Sequence, residues 1–257
     1  MNIMRLEDVS VTLGGKQILQ GITLSVPEGR ITSIIGPNGS GKTTLLKTLC
    51  RGIRPQKGHI SLMGRNIQAI RVKEFAREVA FLTQIHDCPG DVTVQELVSF
   101  GRFAHRRWWK GPSEEDGQVV DWAVKRTGLG EMKERTMGTL SGGERQRAWI
   151  AMALAQKPRV LILDEPTTYL DIAHQQEVLA LVGSLNAEER LTVVMVLHDI
   201  NQAVRYSDHT VVLEQGEVFA CGEACEVVNR ETLRQVFRVE TQVIHYTPER
   251  RPVFHIL

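Results

Sequence analysis

The chain has 257 residues, 42% apolar and 24% charged, with 31 basic against 30 acidic side chains and a net charge of +1. That balance suits a domain with a buried core and lacks the basic excess of a dedicated nucleic-acid footprint. The longest apolar stretches, such as residues 191–197, have strand length, whereas a membrane-spanning helix needs about 20 apolar residues. Residues 1–8 lack the apolar core of a secretion signal. Cys50, Cys88, Cys221 and Cys225 are scattered. Only the last two lie close, with no second ligand cluster, so free cytosolic thiols are the better reading than a metal site.

No internal repeat or low-complexity segment occurs. Residues 4–26 alternate apolar and polar positions around Gly14-Gly15, which predicts an antiparallel arm of short strands. Residues 31–35 form an apolar, β-branched run feeding a glycine-rich loop, and 43–50 read as a helix. Residues 59–63 and 79–83 read as strands, the second ending at Gln84. From about 92 to 156 the pattern turns helical, over 94–103, 114–127 and 144–156. Strand–helix alternation returns with 160–163, 175–185, 193–197, 200–206 and 211–213. Parallel strands joined by helices imply an α/β layered core. The expectation is one two-lobed domain over 1–257, with the core in 1–91 and 157–257 and a helical lobe inserted at 92–156.

Four motifs carry the chemistry. Gly36-Pro37-Asn38-Gly39-Ser40-Gly41-Lys42-Thr43 fits the phosphate-loop pattern, between a strand and a helix. Its glycines let several amide N–H groups face one anion, and the following helix adds its positive end. Lys42 suits the β- and γ-phosphates and the Thr43 hydroxyl suits Mg²⁺; Thr44 joins the binding set. Asp164 and Glu165 end the apolar strand 160–163, at the edge where such sheets bind ligands. Asp164 is predicted to hold Mg²⁺ and Glu165 to polarise the attacking water. In Leu140-Ser141-Gly142-Gly143-Glu144-Arg145-Gln146-Arg147, Ser141 can cap a helix whose first turn Gly142 and Gly143 leave open to an anion. Arg145 and Arg147 read as solvated positions. A single small ligand seldom needs two such termini from one fold. The economical explanation is that Ser141, Gly142 and Gly143 bind the γ-phosphate of ATP held by a partner's phosphate loop. Gln84 and His198 each end an apolar strand, where either can reach γ-phosphate, metal or water.

Together these motifs resemble the ATP-binding cassette family, over nearly the whole chain. The resemblance implies a phosphate-loop NTPase (RecA-like) α/β core with an antiparallel N-terminal β-arm and an inserted helical subdomain. It implies ATP and Mg²⁺ as ligands, Gln84 (also a metal ligand) and His198 as the glutamine loop and switch histidine, and Asp171 in the loop crossing to the partner. That partner is a second copy in a head-to-tail dimer. One element departs from the pattern: Leu13 stands where an aromatic residue usually stacks on adenine, so the base contact is expected to be apolar.

Residues 94–102, 171–175 and 197–203 resemble the ATPase subunits of bacterial importers for ferric siderophores, haem and cobalamin, siderophores most closely. This implies an integral-membrane permease above the dimer, a substrate-binding protein acting through it, no nucleic-acid partner, and a peripheral place on the cytoplasmic face of the inner membrane. The permease's coupling helix would dock between Gln84 and about Arg107. Trp108-Trp109 either supports that contact or the membrane face, or belongs to a solvated loop. Rival readings fare less well. Coiled-coil DNA-organising cassettes need a long insertion, yet Ser141 lies only 99 positions beyond Lys42. A phosphate-loop kinase or GTPase leaves the 140–147 segment unexplained, and Glu165 argues against a non-hydrolysing switch.

Overall fold

A computed structural model of the protein describes residues 1–84, 90–106, 111–244 and 251–257. Cys88, Arg107 and Trp108-Trp109 lie outside the described residues. The chain forms two compact units, Met1–Ile70 with Thr192–Leu257, and Arg71–Leu191.

The first unit opens with β1 (Asn2–Leu13) and β2 (Lys16–Pro27), antiparallel across a Gly14-Gly15 turn in which both glycines have positive φ. Leu6, Val9 and Val11 of β1 are buried, as a strand with one face on a core requires. β3 (Ile31–Ile35) is buried throughout and leads through the glycine loop to α1 (Lys42–Leu49). β4 (Lys57–Leu62) and β5 (Arg65–Asn66) complete a four-stranded arm in the order β2-β1-β4-β5.

The second unit holds α2 (Val72–Glu78), β6 (Val79–Leu82), α3 (Val94–Phe100), α4 (Glu114–Arg126), α5 (Gly142–Ala155), β7 (Val160–Leu163) and α6 (Ile172–Glu189). β6 and β7 run parallel, Val79 opposite Val160 and Leu82 opposite Leu163, so both end at the same edge. Thr93, Ser113 and Ser141 start α3, α4 and α5 with reciprocal capping boxes, each satisfying two helix-terminal donors. The helical pattern expected to run to Phe103 stops at Phe100, and a hydrogen-bonded turn carries the chain onward. There Arg102 is buried against Asp116 (Nε–Oδ1 2.8 Å) and donates to the Ala155 carbonyl (2.8 Å), closing the C-terminus of α5.

The chain re-enters the first unit with β8 (Thr192–Val196), α7 (Ile200–Tyr206), β9 (His209–Glu214) and β10 (Glu217–Glu223). The short helices α8 (Ala224–Val227) and α9 (Arg230–Phe237) and the hairpin β11 (Thr241–Ile244) with β12 (Val253–Ile256) follow. β3 lies between β8 and β9, parallel to both, and β10 adds an antiparallel edge. The α/β core and antiparallel arm are as the sequence predicts.

Candidate functional site

In the first unit the site grows from the end of β3. Gly36 has φ +155°, and a Cβ there would lie 2.2 Å from the Leu213 carbonyl oxygen. Gly41 has φ +101°, and its Cβ would meet Leu19 Cδ2 at 2.8 Å. The loop therefore curls tightly over β2 and β9 only because neither residue has a side chain. Gly41 also caps α1 without any side-chain hydrogen bond, so no side chain covers the start of the helix. Lys42 is buried and folds its ammonium back over the loop, donating to the Gly36 and Pro37 carbonyls at 2.9 Å each. Asn38 and Gly39 are exposed at the tip, whereas Ser40 is buried, its Oγ without a hydrogen-bond partner among the described residues. A cradle that a Cβ would fill, a helix start with no side-chain cap, an orphaned hydroxyl and a lysine suit a phosphate chain.

His198 belongs to the same edge. The Leu197 amide donates to the Ile34 carbonyl at 3.3 Å, so β8 delivers an exposed His198 beside the end of β3. Asp199 follows and caps α7 through the Gln202 amide at 3.0 Å.

The second unit brings together Gln84, Asp164 and Glu165. Asp164, buried, donates its amide to the Leu82 carbonyl at 2.9 Å, setting the ends of β6 and β7 side by side. Gln84 Nε2 then donates to Glu165 Oε2 at 2.6 Å, and Thr168 Oγ1 donates to the same oxygen at 3.1 Å. Glu165 sits at φ +52°, a sparsely populated conformation for a non-glycine residue. Sequence reasoning misses Thr168; its offset of three residues from Glu165 across a turn is the signal that points to it.

A second cluster forms at the start of α5. The Ser141 side chain accepts from the Glu144 amide at 3.3 Å while Glu144 Oε2 accepts from the Ser141 amide at 2.7 Å, and this last bond holds the Glu144 carboxyl below its usual range. Asp171 caps α6 through the His174 amide (2.9 Å) and meets His174 Nδ1 at 2.7 Å; both contacts lower its pKa. A Cβ on Gly143 would lie 2.3 Å from His174 Cδ2, and one on Gly142 would lie 3.4 Å from Leu170 Cδ2. The glycines thus let the 170–174 turn pack on the helix start, leaving Ser141 and Gly142 exposed. Sequence alone does not single out His174, because its part depends on this packing. Arg147 is not merely solvated; it pairs with Glu177 Oε2 at 2.7 Å. Leu13 is 42% exposed at the tip of the first hairpin.

A glycine cradle with a buried lysine, and strand ends bearing paired carboxylates, define a phosphate-loop nucleotide hydrolase. The ABC transporter family model matches residues 19–168, and the chain belongs to that family. It is 43% identical over 253 residues to the iron(3+)-hydroxamate import ATP-binding protein FhuC of Bacillus subtilis (strain 168), covering 98% of this chain and 94% of that one. It is 44% identical over 245 residues to the ferric enterobactin transport ATP-binding protein FepC of Escherichia coli (strain K12), covering 95% and 90%. A solved dimeric bacterial ABC transporter cassette superimposes with a TM-score of 0.73 at 28% identity, over 86% of this chain and 98% of that one.

Proposed function

We propose that the protein is the ATP-hydrolysing subunit of a membrane importer for ferric siderophores. The observation that carries this reading is the likeness, over nine-tenths or more of both lengths, to two ATP-binding proteins, one named for iron(3+)-hydroxamate import and one for ferric enterobactin transport. Translocation falls to a separate permease; among the described residues no helix is long and apolar enough to cross a membrane. The subunit works at that permease's cytoplasmic face, and a substrate-binding protein delivers the cargo.

ATP is held by Gly36–Thr44, with Lys42 on its terminal phosphates. Thr43, Asp164 and Gln84 hold Mg²⁺, which neutralises phosphate charge; hydroxyl, carboxylate and amide oxygens are the ligands such a hard cation takes. Glu165 takes a proton from the attacking water, its carboxylate oriented by Gln84 and Thr168. His198 steadies the γ-phosphate. Ser141, Gly142 and Gly143 of a second copy complete the site, and Asp171 crosses to that copy. This fits the exposure of Ser141, Gly142 and Asp171 at the starts of α5 and α6, and the dimeric state of a related cassette. Closure becomes motion because ATP stabilises the closed dimer more than ADP does.

The test is co-purification from membranes followed by vesicle uptake with ferric siderophores, haem and cobalamin. Iron-chelate uptake that Lys42→Ala abolishes supports the reading. Uptake confined to haem or cobalamin overturns the cargo, and the absence of any associated permease overturns the importer.

A further inference from the structure

Two side chains bind the seven-residue helix α7 to the C-terminal strand β12, one at each end of the helix. At its first turn the Asn201 carboxamide reads the backbone of Phe254 in both directions. Oδ1 accepts the Phe254 amide at 2.7 Å and Nδ2 donates to the Phe254 carbonyl at 3.0 Å. A paired donor and acceptor of this length mimic a neighbouring strand. Aspartate would turn the donor into a second acceptor facing a carbonyl, and alanine would leave both backbone groups unserved. At the other end Arg251 donates to the Val204 carbonyl (2.6 Å) and to the Ser207 carbonyl, and stands 3.6 Å from Asp208. These are carbonyls that a helix C-terminus leaves without partners of its own. Phe254 is itself buried.

A helix of two turns has little stability alone, so its position is set by what it packs on. α7 is joined through its cap, Asp199, to His198. We propose that Asn201 is a positioning residue for hydrolysis, tying α7 to β12 and so fixing where His198 stands at the end of β8. The proposal rests on the role given to His198 above. It also gives the C-terminal strand a purpose: a shift of β12 is felt three residues from the γ-phosphate sensor.

ATP hydrolysis by the full-length chain, in the complex that co-purifies from membranes, tests this on two backgrounds. Asn201→Ala should lower kcat about tenfold, as a small misplacement of a reacting group does, with KM for ATP unchanged. In a His198→Ala chain, already slow, adding Asn201→Ala should change nothing further, because residues acting through one another are not additive. Arg251→Met should show the same dependence on background, and serves as the readout if Asn201→Ala fails to fold in a thermal melt. Equal losses on both backgrounds, or a loss confined to KM, would overturn the proposal by making Asn201 a structural tie only. A His198→Ala single variant with wild-type turnover would instead strike the role of His198 itself, so the two failures are distinguishable.

Discussion

Glu165 and Gln84, 81 residues apart in the chain, meet through a 2.6 Å hydrogen bond from the Gln84 amide to Glu165 Oε2. The bond joins the ends of two parallel strands whose registers match residue for residue, so backbone pairing sets the carboxylate's distance from Gln84. Thr168 adds a second donor to the same oxygen.

Glu165→Gln keeps an acceptor for both donors while removing the base. Turnover should fall by about 10²- to 10⁴-fold with nucleotide affinity retained. Steady-state hydrolysis and fluorescent-nucleotide titration measure the two quantities. Thr168→Val, which removes one orienting bond, should cost about 1 kcal/mol, roughly fivefold in rate. An unchanged rate in Glu165→Gln removes that residue from the reaction.

Sharing of each nucleotide by two copies has a direct test in mixed variants. Ser141→Asp keeps a good N-cap for α5 but presents a carboxylate to phosphate, so it should fold normally and hydrolyse little. Lys42→Ala should fail through its own phosphate loop. Neither variant hydrolyses alone, yet an equimolar mixture should recover about a quarter of the wild-type sites, since half the dimers pair one intact loop with one intact signature. No recovery after subunit exchange is the outcome that sinks the shared site.

Much of this is legible in the sequence because the chemistry sits where pattern changes. The run Ile31–Ile35 into glycine, and Val160–Leu163 into two acids, mark strand ends by composition alone. What stays hidden depends on partners far along the chain. Asn201 lies within a legible motif, but its partner Phe254 is 53 residues later, on a four-residue strand too short to show a period. β10 is intermediate or exposed along its whole length, so it does not stand out by hydrophobic pattern. Sequence marks Gly143 for anion approach, whereas its tightest neighbour is the His174 ring.

The helical region carries a buried ion pair with a pH signature. Burial pushes the Asp116 carboxyl upward, but the Ser113 amide and the Arg102 guanidinium outweigh it and hold the pKa at about 2, against 3.8. A depressed carboxylate pKa stabilises the fold above the unfolded value. This contribution, about 2 kcal/mol, is therefore complete above about pH 4 and fades as pH falls toward 2. Urea denaturation at stepped pH should show that loss in the wild type and a flatter profile in Asp116→Asn. At neutral pH the variant should be less stable by about 3 kcal/mol, because Arg102 is left buried without its counter-charge. Equal slopes in the two proteins would rule out Asp116 as the titrating group.

Two glycines in neighbouring helices should respond oppositely to alanine. Gly183 lies inside α6, where an added Cβ would meet no atom within 4 Å. Gly183→Ala should therefore raise stability by about 0.5 to 1 kcal/mol through the unfolded chain's lost freedom, and leave hydrolysis unchanged. At Gly143 the new methyl meets His174 Cδ2 at 2.3 Å and Cγ at 2.8 Å, so the ring must swing away and abandon Asp171. The phosphate loop is untouched, and nucleotide should still bind. Hydrolysis should drop about tenfold, because the turn meant to meet the second copy loses its set position. Chemical denaturation and ATPase assays on both variants separate packing from function. A Gly143→Ala protein with full activity would mean that the contact between His174 and α5 has no bearing on turnover.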